Sequence, residues 1–399
     1  MTAQEDVRLP PPNLSVGPIA WLRANLFGGP ISSLVTIVLA LLLAWLAIAT
    51  FEWAITARWG VVTANLRLFL TGRYPPEELW RVWLALVMLS VLAGVSAAAM
   101  GGAVRTLANW LAAGQLLLAP LIAVSGMGVA VAGALVLSAA IVVVSYLAGL
   151  RVAISRRWLG LAWFLSLPIS WFILAGQRGT PLAGVSPEIW GGLLLTFILA
   201  IVGIALSFPF GVLLALGRRS DMIMVRTIST VYIEVIRGVP LVTILFMASI
   251  LLPLFLPGDI RIDRVLGAIG GITLFSAAYV AENVRGGLQA IPSGQIEAAH
   301  AIGLNPIQTN LHIVLPQALR SVIPANVGLF ISLLKDTTLV SIIGLTELLG
   351  IGRSVLAQTQ WFGAHLEVYV FVSLVFFVLC YTMSQASYRL ETALGVGKR

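Results

Sequence analysis

Three charged side chains stand in otherwise apolar parts of the sequence and are the first candidates for chemistry: Glu282, Lys335 and Asp336. A charged group inside a membrane is costly, so it normally faces a cavity or an opposite charge. Lys335 and Asp336 are adjacent, and neighbouring side chains on a helix point about 100° apart, so each needs its own partner. The pair predicts a position on a solute path or at a subunit interface. The alternative is a structural role, as an interhelical ion pair or near the membrane boundary.

Hydroxyl groups accompany these charges. Tyr279 precedes Glu282 by three residues and lies on nearly the same helical face, so both could line a path on which Glu282 binds an amino group. Alternatively, Glu282 only anchors the end of the short apolar run 265–281 in the headgroup region. Thr337 and Thr338 follow the Lys-Asp pair and belong to the same candidate path or interface.

Another group of residues marks the predicted start of a span. Glu234 and Arg237 are three positions apart and predict an ion pair on one helical face. Pro240 is expected to break the helix there, because proline lacks a backbone N–H and its ring clashes with the preceding turn. Gly267 and Gly271 form a GxxxG pattern, which favours close helix packing over ligand contact.

The most specific spacing lies between 297 and 316 and has the form E-A-A-x3-G-x9-I-x-L-P. Its residues are Glu297, Ala298, Ala299, Gly303, Ile313, Leu315 and Pro316. The alanines favour a short helix, which Gly303 can end with a positive φ. Asn305 followed by Pro306 is typical of a second helix start, and Pro316 is expected to mark another break. We therefore predict a helix–turn–helix between two spans, with an ordinary amphipathic loop as the alternative.

Patterns typical of enzymes and metal centres are missing from the sequence. There is no G-x-x-x-x-G-K-[ST] motif, so the chain is not expected to hydrolyse ATP by itself. Three scattered histidines and one cysteine predict no metal site, and no catalytic residues converge within the apolar runs. The net charge of +8 comes from arginines scattered between those runs, which indicates basic cytoplasmic loops and not a nucleic-acid surface.

The elements that must position these residues are membrane helices. Only 10% of the 399 residues are charged, against roughly 25% in soluble domains, and the mean hydropathy is +1.00. A soluble fold could not cover its surface with so few polar groups, and a β-barrel would alternate apolar and polar residues. With about 20 residues per span, the uncharged runs predict about ten transmembrane helices, within a range of roughly eight to ten. The predicted fold class is all-α and polytopic.

The runs divide the chain into two halves of about five spans each. We expect a non-helical tail at 1–31, an extension with spans at 32–180, a second half at 188–391 and a basic tail at 392–399. The first span should begin just after Pro30, and the uncharged run 106–150 should form two helices that turn at 126–128. Arg-rich loops predict that both termini are cytoplasmic, although the arginines within 56–81 run against that rule.

Segments throughout the second half resemble the permease subunits of polar amino-acid ABC importers, and the spacing at 297–316 resembles their EAA loop. The matching segments are 234–241 (EVIRGVPL), 278–287 (AYVAENVRGG), 294–299 (GQIEAA), 315–318 (LPQA), 334–339 (LKDTTL) and 347–348 (EL). Thr338 stands where the family usually has serine. The likeness covers 188–391, about half the chain, and the long extension resembles the larger permease of general L-amino-acid importers.

The resemblance implies a five-helix type I importer core whose EAA loop, at 290–318, docks on a separate ATPase. The chain would then be no enzyme and hold no cofactor, because ATP and Mg²⁺ would be bound by two copies of that ATP-binding subunit. Further implied partners are a second permease (identical or homologous), a periplasmic substrate-binding protein, the amino-acid substrate and the lipid of a bacterial inner membrane. Alternating access would move polar or general L-amino acids inward. The alternatives are an ABC permease for another small polar solute and a secondary amino-acid transporter.

Overall fold

The computed structural model confirms a polytopic all-α protein. It describes residues 17–125, 127–152, 154–177, 182, 184–257 and 262–395. Nine helices among these residues are long and apolar enough to cross a membrane, or ten spans if a helix pair bent by 108° counts as one. The chain divides into two compact units, Met1–Arg58 and Trp59–Arg399.

The first unit contains two helices, α1 (Pro18–Asn25) and α2 (Pro30–Thr56). The prediction of a non-helical tail is wrong at its described end, because Pro18 lies in the first turn of α1, where a missing N–H costs no hydrogen bond. α2 begins at Pro30, as predicted. None of its residues is buried, and its mean hydropathy reaches 2.7, which suits a helix surrounded by lipid.

The extension continues into the second unit with short and long helices. They are α3 (Gly60–Ala64), α4 (Leu66–Thr71), α5 (Leu79–Met100), α6 (Gly102–Val124), α7 (Val129–Arg151) and α8 (Arg156–Ala175). The predicted division of 106–150 into two helices is confirmed, although Gly126 of the predicted turn lies outside the described residues. A polar network joins three of these helices: Gln115 Nε2 donates to Ser90 Oγ at 3.2 Å, and Ser90 Oγ lies 3.1 Å from Ser138 Oγ.

The second half is built from eleven further helices among the described residues. They are α9 (Gly192–Arg218), α10 (Ile223–Arg237), α11 (Leu241–Phe246), α12 (Leu252–Phe255), α13 (Arg264–Gln289), α14 (Ser293–Ala301), α15 (Pro306–Thr309), α16 (Leu315–Ser321), α17 (Ile323–Asp336), α18 (Leu348–Leu356) and α19 (His365–Leu394). Pro240 breaks the chain between α10 and α11, as predicted, and the two parts meet at 108°. Gly267 packs against the π-helical segment Met247–Leu251 that follows α11, because a Cβ on Gly267 would lie 2.8 Å from Ser249 Cα.

α9 and α13 run parallel to each other. Glu188, just before α9, pairs with Arg264 at the start of α13 at 3.1 Å, and Arg218 at the end of α9 contacts Glu282 at 3.5 Å. Between Arg264 and Glu282 the helix rises about 27 Å, close to the thickness of a hydrocarbon core. The two ends of this helix pair therefore belong to opposite faces of the membrane.

The predicted end of this span at 281 is wrong, because α13 continues to Gln289. Polar side chains after residue 281 form hydrogen bonds within the protein, so the helix does not have to end where the apolar run ends. Arg285 hydrogen-bonds Glu282 one turn earlier, and Asn283 Nδ2 donates to Asn326 Oδ1 of α17 at 3.0 Å. Glu282 consequently lies inside a helix and does not mark its end.

One hydrophobic cluster contains residues from both the extension and the second half. Phe69 of α4 meets Phe371 of α19 with ring centroids 5.0 Å apart. Val61 and Leu66 are buried in the same cluster as Val368 of α19. The short helices of the extension therefore pack directly on the second half.

Glu347 caps α18 and ties it to α9. Its side chain is fully buried, and its two carboxylate oxygens accept hydrogen bonds from the N–H groups of Leu349 at 2.9 Å and Gly350 at 2.8 Å. The Leu348 N–H donates to Thr196 Oγ1 of α9 at 3.2 Å. Burial raises the pKa of Glu347, and the two backbone donors and Arg353 partly offset that effect.

Replacing Glu347 by alanine should lower the free energy of unfolding by about 1–2 kcal/mol, because two N–H groups of the first turn lose their acceptor. Glu347→Gln should cost less, since its amide oxygen can still accept one of the two bonds. Melting temperatures of the purified variants measure the difference. Equal melting of Glu347→Ala and the unmodified chain would contradict the capping role.

Candidate functional site

Five charged side chains from three helices meet near the end of α13; we call them the charge cluster. They are Arg218, Glu234, Arg237, Glu282 and Arg285. The Glu282 carboxylate contacts Arg218 Nη1 at 3.5 Å and Arg237 Nη1 at 3.4 Å, and it accepts a hydrogen bond from Arg285 Nε at 3.0 Å. Glu234 contacts Arg218 Nη2 at 2.8 Å. One carboxylate therefore binds three guanidinium groups.

Hydrophobic packing next to the charge cluster holds α9, α10 and α13 against one another. Ala215 of α9, Ile233 of α10 and Val280 of α13 are buried in one hydrophobic cluster. Arg237 also lies over the Tyr279 ring, 5.8 Å from its centroid, a geometry in which the ring face attracts the cation. Arg285 and Glu282 are three residues apart on α13, so their pairing needs no tertiary contact.

The cluster has more positive than negative charge. Three guanidinium groups face two carboxylates, and Glu282 at the centre is only 23% exposed. Arg218 Nη1 and Arg237 Nε are buried nitrogen atoms without a hydrogen-bond partner. The arrangement can therefore hold α9, α10 and α13 together at this end.

Four of the predicted residues come together here: Tyr279, Glu282, Glu234 and Arg237. The predicted ion pair between Glu234 and Arg237 is replaced, since each binds a residue of another helix. Arg218 and Arg285 belong to the cluster without having been predicted. The i, i+3 spacing of Glu282 and Arg285 could have indicated an ion pair on one helical face. Arg218 could not be distinguished in the sequence from any other basic residue that follows a span.

The second predicted set lies elsewhere, at the end of α17. Lys335 is exposed and Asp336 is half-buried, and neither pairs with a charge on another helix in the described part of the chain. Thr337 Oγ1 donates to Leu334 O at 2.7 Å, and Thr338 Oγ1 donates to Lys335 O at 2.8 Å. Both hydroxyls are thus bound to their own backbone, and the role of this set on a path or at an interface stays a prediction.

The segment 290–318 forms the predicted helix–turn–helix. α14 ends in a Schellman motif: the Gly303 N–H donates to His300 O at 2.9 Å and the Leu304 N–H to Ala299 O at 3.1 Å. Gly303 has φ +84°, as its position in this motif requires. Asn305 then caps α15, with its Oδ1 accepting from Gln308 N at 2.9 Å and its own N–H bound by Gln308 Oε1 at 3.1 Å.

The predicted break at Pro316 is wrong. A π-helical segment, Asn310–Val314, carries α15 into α16 without interruption, and Pro316 stands in the first turn of α16. Proline has no N–H to donate to the carbonyl four residues earlier in an α-helix. In the π segment before Pro316 the hydrogen bonds span five residues, so the helix continues without that bond. Pro253 is accommodated in the same way, because it directly follows the π-helical segment Met247–Leu251 and stands in the first turn of α12.

The tip of the turn carries two exposed apolar side chains. Ile302 is 76% exposed and Ile307 is 70% exposed, on the two sides of Gly303. Among the predicted loop residues, Ala299 is buried, Ile313 and Leu315 are half-buried, and Glu297, Ala298, Gly303 and Pro316 are exposed. An exposed apolar tip framed by capped helix ends is typical of a docking surface.

The loop is mechanically connected to the charge cluster through α13. Val314 and Ala318 are buried against Val284 and Leu288. Gly287 allows this contact, because a Cβ there would lie 2.7 Å from the backbone oxygen of Ala318. The loop therefore packs directly on the end of α13 that carries Glu282 and Arg285.

Comparison with known proteins gives matches along the chain. The family model described as "Binding-protein-dependent transport system inner membrane component" matches residues 207–393. A glutamate/glutamine/aspartate/asparagine transport system permease protein of Rhodobacter capsulatus is 38% identical over 424 residues, covering 96% of this chain and 95% of the relative. This match includes the extension.

Other relatives match a shorter part. An inner membrane amino-acid ABC transporter permease protein of Escherichia coli is 47% identical over 238 residues, which is 59% of this chain and 65% of the relative. A solved structure of an amino acid ABC transporter with histidines is 30% identical with a TM-score of 0.46, covering 51% of this chain and 92% of that one.

Proposed function

The chain belongs to the family of amino-acid ABC transporter permeases, and from that premise we propose that it carries polar L-amino acids inward across a bacterial inner membrane. It is a multi-pass membrane subunit and not an enzyme. Of the relatives named above, one is described as a glutamate/glutamine/aspartate/asparagine permease and another as an amino-acid permease. Substrates of the same polar class are proposed here.

The helix–turn–helix at 290–318 is the proposed contact with the ATPase. The observation that carries this assignment is the apolar tip of Ile302 and Ile307, held in one geometry by the Schellman turn and the Asn305 cap. Two copies of the ATP-binding subunit would bind ATP and Mg²⁺ and supply the energy by hydrolysis. This chain contributes the docking surface and the connection to α13.

The charge cluster is the proposed lock on the cytoplasmic end of the path. It joins the ends of α9 and α13 to α10, on the face that the basic residues Arg218, Arg219 and Arg226 assign to the cytoplasm. Because Glu282 has its oxygens occupied by guanidinium groups, movement of α13 has to exchange these ion pairs. Alternating access would thus open and close this end as the loop moves.

Two further partners complete the proposal. A second permease, identical or homologous, would pair with the second half, and Lys335 and Asp336 are candidates for that interface or for the path. A periplasmic binding protein would deliver the substrate, as the description of the matched family implies.

Uptake in a strain that lacks this chain tests the proposal. Restoring the chain should restore accumulation of labelled glutamine, and unlabelled polar amino acids should compete with it. Reconstitution of the chain with the ATPase, permease and binding protein encoded beside it should make uptake depend on ATP. Uptake driven by an ion gradient without ATP would instead indicate a secondary transporter, and a lack of competition by amino acids would indicate another solute.

A further inference from the structure

The start of α6 and the end of α19 lie together, and each carries an arginine. Arg389 Nη1 donates a hydrogen bond to Thr106 Oγ1 at 2.8 Å, and Thr106 directly follows Arg105. Val368, near the other end of α19, is buried with Phe69 of α4, which packs on the start of α9. Since α19 rises about 32 Å between residues 368 and 389, both arginines belong to the end of the molecule that carries the charge cluster. We call Arg105 and Arg389 the arginine pair.

Uncharged groups hold the arginine pair, and both side chains are exposed. Arg389 is bound to the Thr106 hydroxyl, and the Arg105 guanidinium carbon lies 5.0 Å from the ring centroid of Tyr146 on α7. Within the described part of the chain, neither arginine forms an ion pair with a carboxylate. Glu391, two residues after Arg389, instead accepts a hydrogen bond from a serine of its own helix at 2.6 Å. The arginine pair therefore presents two positive charges and several N–H donors to an anion from outside the chain.

An exposed stripe of α19 leads from the arginine pair into the membrane. It consists of Phe377, Tyr381, Ser384 and Tyr388, whose spacing of three or four residues places them on one helical face. Phe377 is 65% exposed and Tyr388 is 68% exposed. The Tyr381 ring stacks on Phe377 with centroids 6.0 Å apart, and it meets the edge of Trp110 on α6 at 6.2 Å. The seam between α6 and α19 thus has a cationic end and a largely aromatic strip, which matches the polarity of an anionic phospholipid.

We propose that this seam binds one anionic phospholipid of the cytoplasmic leaflet. Its headgroup phosphate binds to Arg105 and Arg389, and an acyl chain lies along Phe377 and Tyr381. A guanidinium group can hold two phosphate oxygens at once, and basic sites between transmembrane helices on the cytoplasmic side are suited to anionic headgroups. Because α6 belongs to the extension and α19 to the second half, the lipid connects the two parts of the chain. The inference uses only the placement of the arginine pair at the cytoplasmic end and is independent of the solute that is carried.

Quenching by spin-labelled lipids tests the proposal. Cys380 is the only cysteine of the chain, so Ser384→Cys in a Cys380→Ser background places a bimane fluorophore on the stripe of a transporter whose partner subunits lack cysteine. The quenchers are phosphatidylglycerol and phosphatidylcholine, each with a nitroxide on the acyl chain. Phosphatidylglycerol should reach half-maximal quenching at an about tenfold lower mole fraction, and Arg105→Gln with Arg389→Gln should abolish this preference. Arg156→Gln with Arg157→Gln, which removes two exposed arginines at the start of α8, is the matched control and should keep it.

Equal quenching by the two lipids, or an equal loss of preference in the α8 control, would overturn the site, since the arginine pair would then act like any basic residues at this boundary. Displacement of the lipid by inorganic phosphate at constant ionic strength would indicate a soluble anion instead. If quenching by phosphatidylglycerol appears only after the ATPase subunit is removed, a protein surface covers the arginine pair. Native mass spectrometry of the transporter without the label is the second measurement, in case Ser384→Cys disturbs the seam. The variant of the arginine pair should retain one phosphatidylglycerol fewer per copy of this chain, and an unchanged number would contradict the proposal.

Discussion

Replacing Glu282 by glutamine should reduce amino-acid uptake by about tenfold or more, because three guanidinium groups lose the charge that holds them together. Glu282 contacts Arg218 and Arg237 at 3.4–3.5 Å and is hydrogen-bonded by Arg285. A hydrogen bond to a charged group is worth about 1.5–3 kcal/mol, and the guanidinium groups left behind would also repel one another. Uptake by the reconstituted transporter measures the loss.

Glu234→Gln is the matched control within the same cluster. Glu234 is 54% exposed and makes its ion pair with Arg218 alone, at 2.8 Å. Exposed pairs of this kind are worth about 0–1 kcal/mol, so this variant should keep most of its uptake. Glu282→Asp, which keeps the charge on a shorter side chain, should lie between the two.

A double variant separates a role in the lock from a simple loss of folding. Arg285→Gln combined with Glu282→Gln removes one of the uncompensated positive charges, so it should melt at a higher temperature than Glu282→Gln alone. Uptake should remain low in both, since the connection between α13 and α10 is still weakened. Unimpaired uptake by a correctly assembled Glu282→Gln transporter would refute the lock.

The sequence was sufficient for the parts that depend on local chemistry. The start of α2 at Pro30, the bend at Pro240 and the turn at Gly303 with its Asn305 cap are all fixed by one or two residues. Backbone rules of this kind act over a few positions, so they are visible in a spacing.

The errors arose where tertiary partners decide the outcome. α13 runs past 281 because Glu282 and Asn283 find partners within the bundle, and Pro316 is tolerated because a π segment precedes it. The charge cluster could not be foreseen as a whole, since Arg218, Arg237 and Glu282 are far apart in the chain and meet only through parallel packing of α9 and α13. Its membership follows from the fold and not from the spacing of any one motif.

The conformation at Gly303 leads to the second large effect. Its φ of +84° lies in the left-handed region, and a Cβ built there would meet no atom within 4 Å. Any effect of a side chain at this position therefore comes from the backbone and not from a clash. A residue with a Cβ is strained there by about 1–2 kcal/mol, and a β-branched one is among the least tolerated.

Gly303→Val should insert normally into the membrane and abolish or strongly reduce transport. The strain is relieved if the Schellman turn opens, and opening changes the direction in which α14 and α15 present Ile302 and Ile307. The spans do not depend on this turn, so the amount of chain extracted from membranes should match that of the unmodified protein. Co-purification of the ATPase and ATP-dependent uptake measure the loss.

Gly294→Val provides the control that isolates the backbone argument. Gly294 lies in the same helix–turn–helix, and a Cβ there also meets open space, but its φ is not positive. This variant should therefore keep most of its uptake and still co-purify with the ATPase subunit. The β-branched side chain in the first turn of α14 should lower the stability of that helix only slightly. If Gly303→Val transports as well as Gly294→Val with the ATPase fully assembled, the turn does not set the docking geometry and coupling must run through another surface.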